Sequence, residues 1–424
     1  MKHAIIPLIG LLLSPLSAQT VSSNSSAQSS ALTGTNTISA PSASVMTIPV
    51  DSPAFVFSPG NWIGNEGRGG KLFRQTWNPG AYFRLSWSSA NTNPAAGIML
   101  DTSSYQPGIN PPKISYNIDG IWQINVPCDK EIPVQGINGR TQRHDLTVIL
   151  QNSVQAERWG SEALSGANVL RVTSVRIDDG SRPVPSSPGG KWALIIGDSI
   201  TEGIGTTALN SYSHLLAQAL SSLGYEYGIS ACGYSGWLAR GDKPPGDVPA
   251  YYAVAGSVNG SGGTYNDAES RWNKIDGNRH SLLDANGRIS AYGQTGQAPA
   301  LILINYGTND SLRKLSQSDL KASICQGLEA LRKSAPDAQI IVLVPFGQYC
   351  AGVLKEAVEL RRKANPADNK IALIDLGHGV ARSLTSKDPK DRSFGDLHPN
   401  DRGSANFAAL LIPQVMTIMN SSKE

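Results

Sequence analysis

The chain has 424 residues, 36 Lys and Arg against 33 Asp and Glu, and 40% hydrophobic residues, enough apolar material for sizeable cores. The formal charge of +3 is spread without any Lys- or Arg-rich run, which argues against a nucleic-acid partner. The four cysteines, Cys128, Cys232, Cys325 and Cys350, lack metal-ligand spacing, so no structural zinc is expected; as disulfides they would admit three connectivities that the sequence does not rank.

Residues 1–18 read as an export signal. Lys2 supplies a positive start, Ala4 to Leu13 an apolar stretch, and Leu16-Ser17-Ala18 a cleavage site. The apolar stretch is too short to cross a bilayer and is interrupted by proline, so a secreted or periplasmic protein without a stable membrane span is expected. Residues 19–50 follow as a flexible segment, because Ser, Thr, Ala and Asn dominate 21–47 and offer too little apolar surface to offset chain entropy.

By size, the rest of the chain predicts two domains. From 51 to 182 the pattern is of short strands. Tyr82 to Trp87 alternates in part, Leu146, Val148 and Leu150 alternate fully, and Lys113 to Ile118 and Ile121 to Val126 flank the hairpin signal Asp119-Gly120. Further turns at Asn138-Gly139 and Asp179-Gly180 give the spacing of an all-β sandwich. The run R-P-V-P-S-S-P-G-G, 182–190, predicts neither strand nor helix and marks the domain boundary.

Residues 190–422 change period. Strand-like runs at 192–196, 225–230, 301–305, 339–344 and 370–375 alternate with helical patterns, and their near-continuous apolar character is that of a parallel sheet covered on both faces. Leu215, Ala219, Leu220 and Leu223 form one helical stripe, and Leu320, Ile324, Leu328 and Leu331 a second. A last helix is expected just after Pro399, running through Ala408, Leu411, Val415 and Ile418. An insertion at 238–298 has no clear period, and its aromatics, Tyr251, Tyr252, Tyr265, Trp272 and Tyr292, are expected to build an ordered wall of a substrate cleft.

Three short motifs carry chemistry. A-L-I-I-G-D-S at 193–199 ends a buried strand on one exposed hydroxyl, Ser199; N-Y-G-T-N-D occupies 305–310; G-D-L-H-P-N occupies 395–400. Gly-Asp-Ser alone is ordinary turn chemistry, and a lone histidine is more often structural. The three together, in this order, resemble the SGNH (GDSL) hydrolases. The D-x-H-P form of the last motif and the sandwich ahead of the domain look like carbohydrate esterase family 2, which deacetylates polysaccharides.

That resemblance implies a three-layer, flavodoxin-like α/β hydrolase domain with a parallel sheet, preceded by a jelly-roll-like sandwich. It implies Ser199 as nucleophile and His398 as its base. The oxyanion hole would combine the N–H of Ser199, a glycine N–H at Gly236 with Gly233 as the alternative, and the side-chain amide of Asn309. Glycine allows a backbone N–H to face substrate, and asparagine is a neutral donor. Asp396 stands two residues before His398 where the wider family has its aspartate three before, so either Asp396 or a main-chain carbonyl orients the histidine. Asp198 is read as structural, holding the turn by accepting backbone N–H bonds, and Thr201 and Thr308 as turn residues. The function expected is a secreted serine esterase releasing O-acyl, above all O-acetyl, groups from an acylated saccharide without a cofactor. The rivals are an O-acyltransferase of the same fold and a catalytically silent carbohydrate-binding protein.

Overall fold

The computed structural model describes residues 45–64, 72–153, 158–159, 169–242, 248–260, 262–277, 280–290, 296–377 and 397–421. The export signal expected at 1–18 lies outside the described residues.

Residues 45–184 build two antiparallel sheets of six strands each. In the first, Leu170–Asp178 pairs with Val45–Pro49, Arg74–Thr76 and Ala96–Leu100. In the second, Tyr82–Ser88 pairs with Arg143–Asn152, which continues into the hairpin of Lys113–Ile118 and Ile121–Pro127. Its turn lies where the sequence puts it: Ile118 faces Ile121, and Asp119 and Gly120 take φ of 52° and 88°, the left-handed pair of a type I′ turn. Strand alternation buries Phe83, Leu85 and Trp87 with Ile98, Val148 and Val172 between the sheets.

Two expectations fail here. The flexible segment does not extend to residue 50, since Val45–Pro49 is a strand and Ile48 and Val50 are buried in the sandwich core. Averaging composition over 21–47 conceals this apolar end. Likewise Arg182–Val184 is a strand paired with Tyr82–Ser88. It is the terminal strand of its sheet, where a proline such as Pro183 leaves no inner ladder bond unmade.

Five parallel strands follow: β1 Lys191–Gly197, β2 Tyr225–Ala231, β3 Leu301–Asn305, β4 Gln339–Leu343 and β5 Ile371–Ile374, in the order β2-β1-β3-β4-β5. Each lies within one residue of its expected bounds. The order is that of a flavodoxin-type doubly wound sheet. Helices α1 (Tyr212–Ser222), α2 (Gln317–Ser334), α3 (Ala351–Ala364) and α4 (Asp401–Ser421) cover it. Leu320, Ile324 and Leu328 of α2 and Leu354 and Val358 of α3 share a buried cluster with Leu194, Ile196, Ile302 and Val342. On the other face Leu216 and Leu220 of α1 and Leu411 and Val415 of α4 meet Ile195, Leu303 and Leu343. The α1 stripe is therefore displaced from the expected one: Leu223 lies past the helix end and is exposed, and Tyr212, Leu216 and Ala217 are buried. Two apolar stripes overlap in this segment, and the buried one includes Tyr212, whose ring meets Phe407 edge-on at 5.2 Å.

The insertion also differs from expectation. Tyr251 and Tyr252 are core residues of the α2 face, with Trp237 edge-on to Tyr251 and Ser323 Oγ donating to the Tyr252 carbonyl at 2.5 Å. Tyr265 stacks on Tyr252, and Trp272 Nε1 donates to Tyr265 at 2.9 Å. Tyr251 and Tyr252 thus close a core where a cleft wall was expected; Tyr292 lies outside the described residues.

The sandwich packs against β2, the edge strand of the parallel sheet. Asn61 Nδ2 donates to the Ile229 carbonyl at 3.1 Å, and the Pro59 carbonyl lies so close to Gly228 that a Cβ there would strike it. The Tyr82 hydroxyl, the Arg84 guanidinium and the Gly189 N–H all bond to Glu226. An edge that would otherwise present unpaired backbone groups is thus covered, and residues 43–424 form one compact unit. All four cysteines are free.

Candidate active site

The site is assembled at the C-terminal ends of β1, β2 and β3, where an open α/β sheet places its crevice. β1 ends at Gly197, and the chain turns at once into the helical turn Ser199–Glu202. A side chain at Gly197 would run into Thr201, so glycine is what permits the tight reversal. Asp198 caps the turn by accepting from Ile200 N at 3.0 Å, and Gly203, at φ 96°, donates back to the Ser199 carbonyl at 3.1 Å. Ser199, 9% exposed, stands at the first position of the turn, where its N–H has no helical partner.

His398 comes from the other end of the chain. Asn400 caps α4, its Oδ1 accepting from Gly403 N at 2.9 Å and its carbonyl from Ser404 N at 2.8 Å, which fixes the approach of residues 397–400. His398 Nε2 lies 2.7 Å from Ser199 Oγ. The structure thus brings these two expected residues into hydrogen-bond contact. Asp396 lies outside the described residues.

Asn309 follows β3 on the turn Thr308–Leu312, reached through Gly307 at φ 137°. It is 7% exposed; its amide donates to the Ser235 carbonyl at 3.0 Å and, more weakly, to Asp198 Oδ2 at 3.4 Å. The Asp198 carboxyl is 1% exposed, and this burial raises it to about 7, against the opposing pull of the Ile200 N–H.

The glycines expected to complete an oxyanion hole are otherwise engaged. Gly236 N–H donates to the Ala239 carbonyl at 3.0 Å, and the alternative, Gly233 N–H, to Glu202 Oε2 at 2.9 Å. Gly236 is required for a different reason: a Cβ there would run into the Asp310 carboxylate. That carboxylate accepts from Trp237 N at 3.0 Å, Leu238 N at 2.8 Å and Ala239 N at 3.0 Å. Burial raises Asp310, and these three donors oppose the shift.

Sequence reasoning gave no role to Asp310, to Glu202 or to Arg158. Asp310 could have been singled out as the acid next to Asn309; Arg158 stands in no motif. Its fully buried guanidinium bonds Glu202 Oε1 at 2.6 Å and Asp242 Oδ1 at 2.5 Å and lies over the Trp77 ring. Loop 233–239 is therefore held from below by Glu202 and from the side by Asp310 and Asn309. Tyr234 projects from it, 38% exposed and at φ 63°. Among the described residues no group of His, Cys, Asp and Glu is arranged to hold a metal, and no helix is long and apolar enough to cross a membrane.

The profile of the GDSL-like lipase/acylhydrolase family matches residues 262–405, a segment that includes Asn309 and His398. The matched stretch is similar to that family, and Ser199 lies ahead of it. No curated protein sequence matches the chain. Among solved structures, a family two carbohydrate esterase from Cellvibrio japonicus is similar at a TM-score of 0.60 and 15% identity, over 90% of this chain and 100% of that one. An active-site mutant of a family two carbohydrate esterase from Clostridium thermocellum gives 0.59 and 13%, over 86% and 98%. The acetyl xylan esterase Est2A from Butyrivibrio proteoclasticus gives 0.58 and 14%, over 89% and 99%. At these identities the likeness is one of fold: an SGNH-type α/β fold, consistent with the antiparallel sheets of residues 45–184 as an N-terminal β domain.

Proposed function

We propose that this GDSL-type hydrolase is an exported carbohydrate esterase that removes O-acyl groups, chiefly O-acetyl, from a saccharide through an acyl-enzyme on Ser199. The observation that carries the reading is the 2.7 Å contact between Ser199 Oγ and His398 Nε2, made across 199 residues of chain. A serine hydroxyl becomes a nucleophile when a base within hydrogen-bond reach takes its proton. His398 Nε2 accepts that proton as Oγ attacks the ester carbonyl, and gives it to the sugar oxygen as the C–O bond breaks, so that the sugar leaves as its free hydroxyl. Water, deprotonated by the same nitrogen, then releases the acid and regenerates Ser199. The negative charge on the carbonyl oxygen is met by the Ser199 N–H and by the Asn309 amide, which exchanges its 3.4 Å contact with Asp198 for the oxyanion. Asp396 or a main-chain carbonyl orients His398.

The substrate class rests on likeness to family two carbohydrate esterases over nearly the whole chain. The jelly-roll-like sandwich expected at 51–182, extended by Val45–Pro49 and by the strand Arg182–Val184, is read as a separate domain ahead of the hydrolase domain of 190–422. Removal of residues 1–18 as an export signal fits a polymer met outside the cell. The test is acetate release from a panel of acetylated glycans and from p-nitrophenyl acetate. Release from an acetylated glycan with kcat/KM above that on the small ester supports a carbohydrate substrate; turnover of the small ester alone rejects it.

A further inference from the structure

Ser199 and His398 meet twice, and the second meeting is not between their own side chains. From Ser199 the chain passes through Gly203 and Ile204, whose N–H groups both return to the Ser199 carbonyl, at 3.1 and 2.9 Å. Thr206 closes back on the Gly203 carbonyl with its N–H at 3.1 Å and its hydroxyl at 2.6 Å, so the loop is tied back to the nucleophile turn. The next residue, Thr207, gives its N–H to Asp401 Oδ1 at 2.6 Å and its hydroxyl to Asp401 Oδ2 at 2.5 Å. Asn210 Nδ2 adds a third bond to the same carboxylate at 3.2 Å and one to Thr207 Oγ1 at 2.8 Å. Asp401 is the first residue of α4, three residues after His398. A hydrogen-bonded ring therefore runs from Ser199 through the loop to Asp401, back along residues 400 and 399 to His398, and closes at the 2.7 Å contact with Ser199.

We infer that Asp401 is a positioning residue for the ester reaction, setting the distance between Ser199 Oγ and His398 Nε2 by clamping the histidine's segment to the loop after the nucleophile. Two side chains that meet from segments almost 200 residues apart hold their geometry only as well as those segments are tied together. The three bonds lie at the surface, and being made to a carboxylate they are stronger than neutral hydrogen bonds. Displacement of a reacting group by about 1 Å can cost on the order of 10² in rate. The inference rests on the reading of Ser199 and His398 as nucleophile and base.

The test compares wild type, D401A, T207S and S199A in steady-state kinetics on p-nitrophenyl acetate, with thermal unfolding of each. D401A is expected to lose tenfold or more in kcat with KM changed less than about twofold, because misalignment affects the proton transfer and not the binding of a small ester. T207S keeps both donors and is expected to stay within about threefold of wild type. If D401A does not fold, D401N is read in its place. There the amide sets a donor against Thr207 and Asn210 while Oδ1 still accepts one bond, so the same kcat loss is expected. A D401A or D401N enzyme that retains more than half of kcat, or whose loss appears as a rise in KM, overturns the inference. So does a kcat loss in T207S as deep as that in D401A. Full turnover by S199A would instead overturn the underlying reading, whatever Asp401 does.

Discussion

Asn309 and Asp198 show how much of the site depends on single polar atoms. If Asn309 donates to the oxyanion, N309A lowers kcat by about 10² to 10³ with KM little changed, the usual loss for one such donor. A change confined to KM would make Asn309 a ground-state contact. Asp198 has a consequence for stability. Its carboxyl stands at about 7 in the folded protein against roughly 3.9 unfolded, so between those values the folded state binds the extra proton. Its contribution therefore weakens the fold as pH rises from about 4 to 7. D198N stays neutral throughout. The Tm of D198N minus that of wild type is expected to grow from pH 5 to pH 8, and a difference independent of pH would contradict a buried, elevated carboxyl. Ser199 and Asn309 were legible because each sits in a short motif just after a strand, and His398 because its motif leads into the last helix. Gly236 was legible only as a glycine, because the sequence does not say whether a missing side chain makes room for a substrate or for Asp310.

At the level of elements, the site depends on loop 233–239 being held by its neighbours. Asp310 supplies acceptors to three successive N–H groups, and D310A would leave all three without that partner, those of Trp237 and Ala239 buried and that of Leu238 half-buried. A loss of about 1–3 kcal/mol per unsatisfied group is the relevant scale. D310A is expected to lower the urea midpoint markedly and to abolish turnover, whereas an unchanged midpoint would mean the loop holds its shape without the carboxylate. The five parallel strands were readable from the sequence since burial on both faces leaves a nearly unbroken apolar run. α1 was misread by one stripe because periodicity alone does not rank Leu223 against Tyr212. Val45–Pro49 was hidden by the low-complexity stretch before it, although I48A should cost about 2–5 kcal/mol, the range for emptying a core site.

For the whole molecule, the sandwich does more than precede the hydrolase domain. It covers β2, places Tyr82 and Arg84 on Glu226, and carries Arg158, between its strands Arg143–Asn152 and Leu170–Asp178, into contact with Glu202, one turn from Ser199. A fragment starting at about 185 should therefore be poorly soluble and inactive even on p-nitrophenyl acetate; a soluble fragment with wild-type kcat would show the sandwich to be dispensable. None of this was legible beforehand, because a buried arginine, a hydroxyl and a glycine acquire these roles only when distant segments meet. The central claim is that Ser199, activated by His398, is the nucleophile. It is tested most directly by titrating the wild type, S199A and H398A with a fluorophosphonate, mapping the labelled peptide and following residual esterase activity. The account predicts one label per chain, on Ser199, with activity lost in proportion, no label on S199A and strongly slowed labelling of H398A. Stoichiometric labelling of another residue, or S199A that is unlabelled and still turns over ester at the wild-type rate, would contradict it.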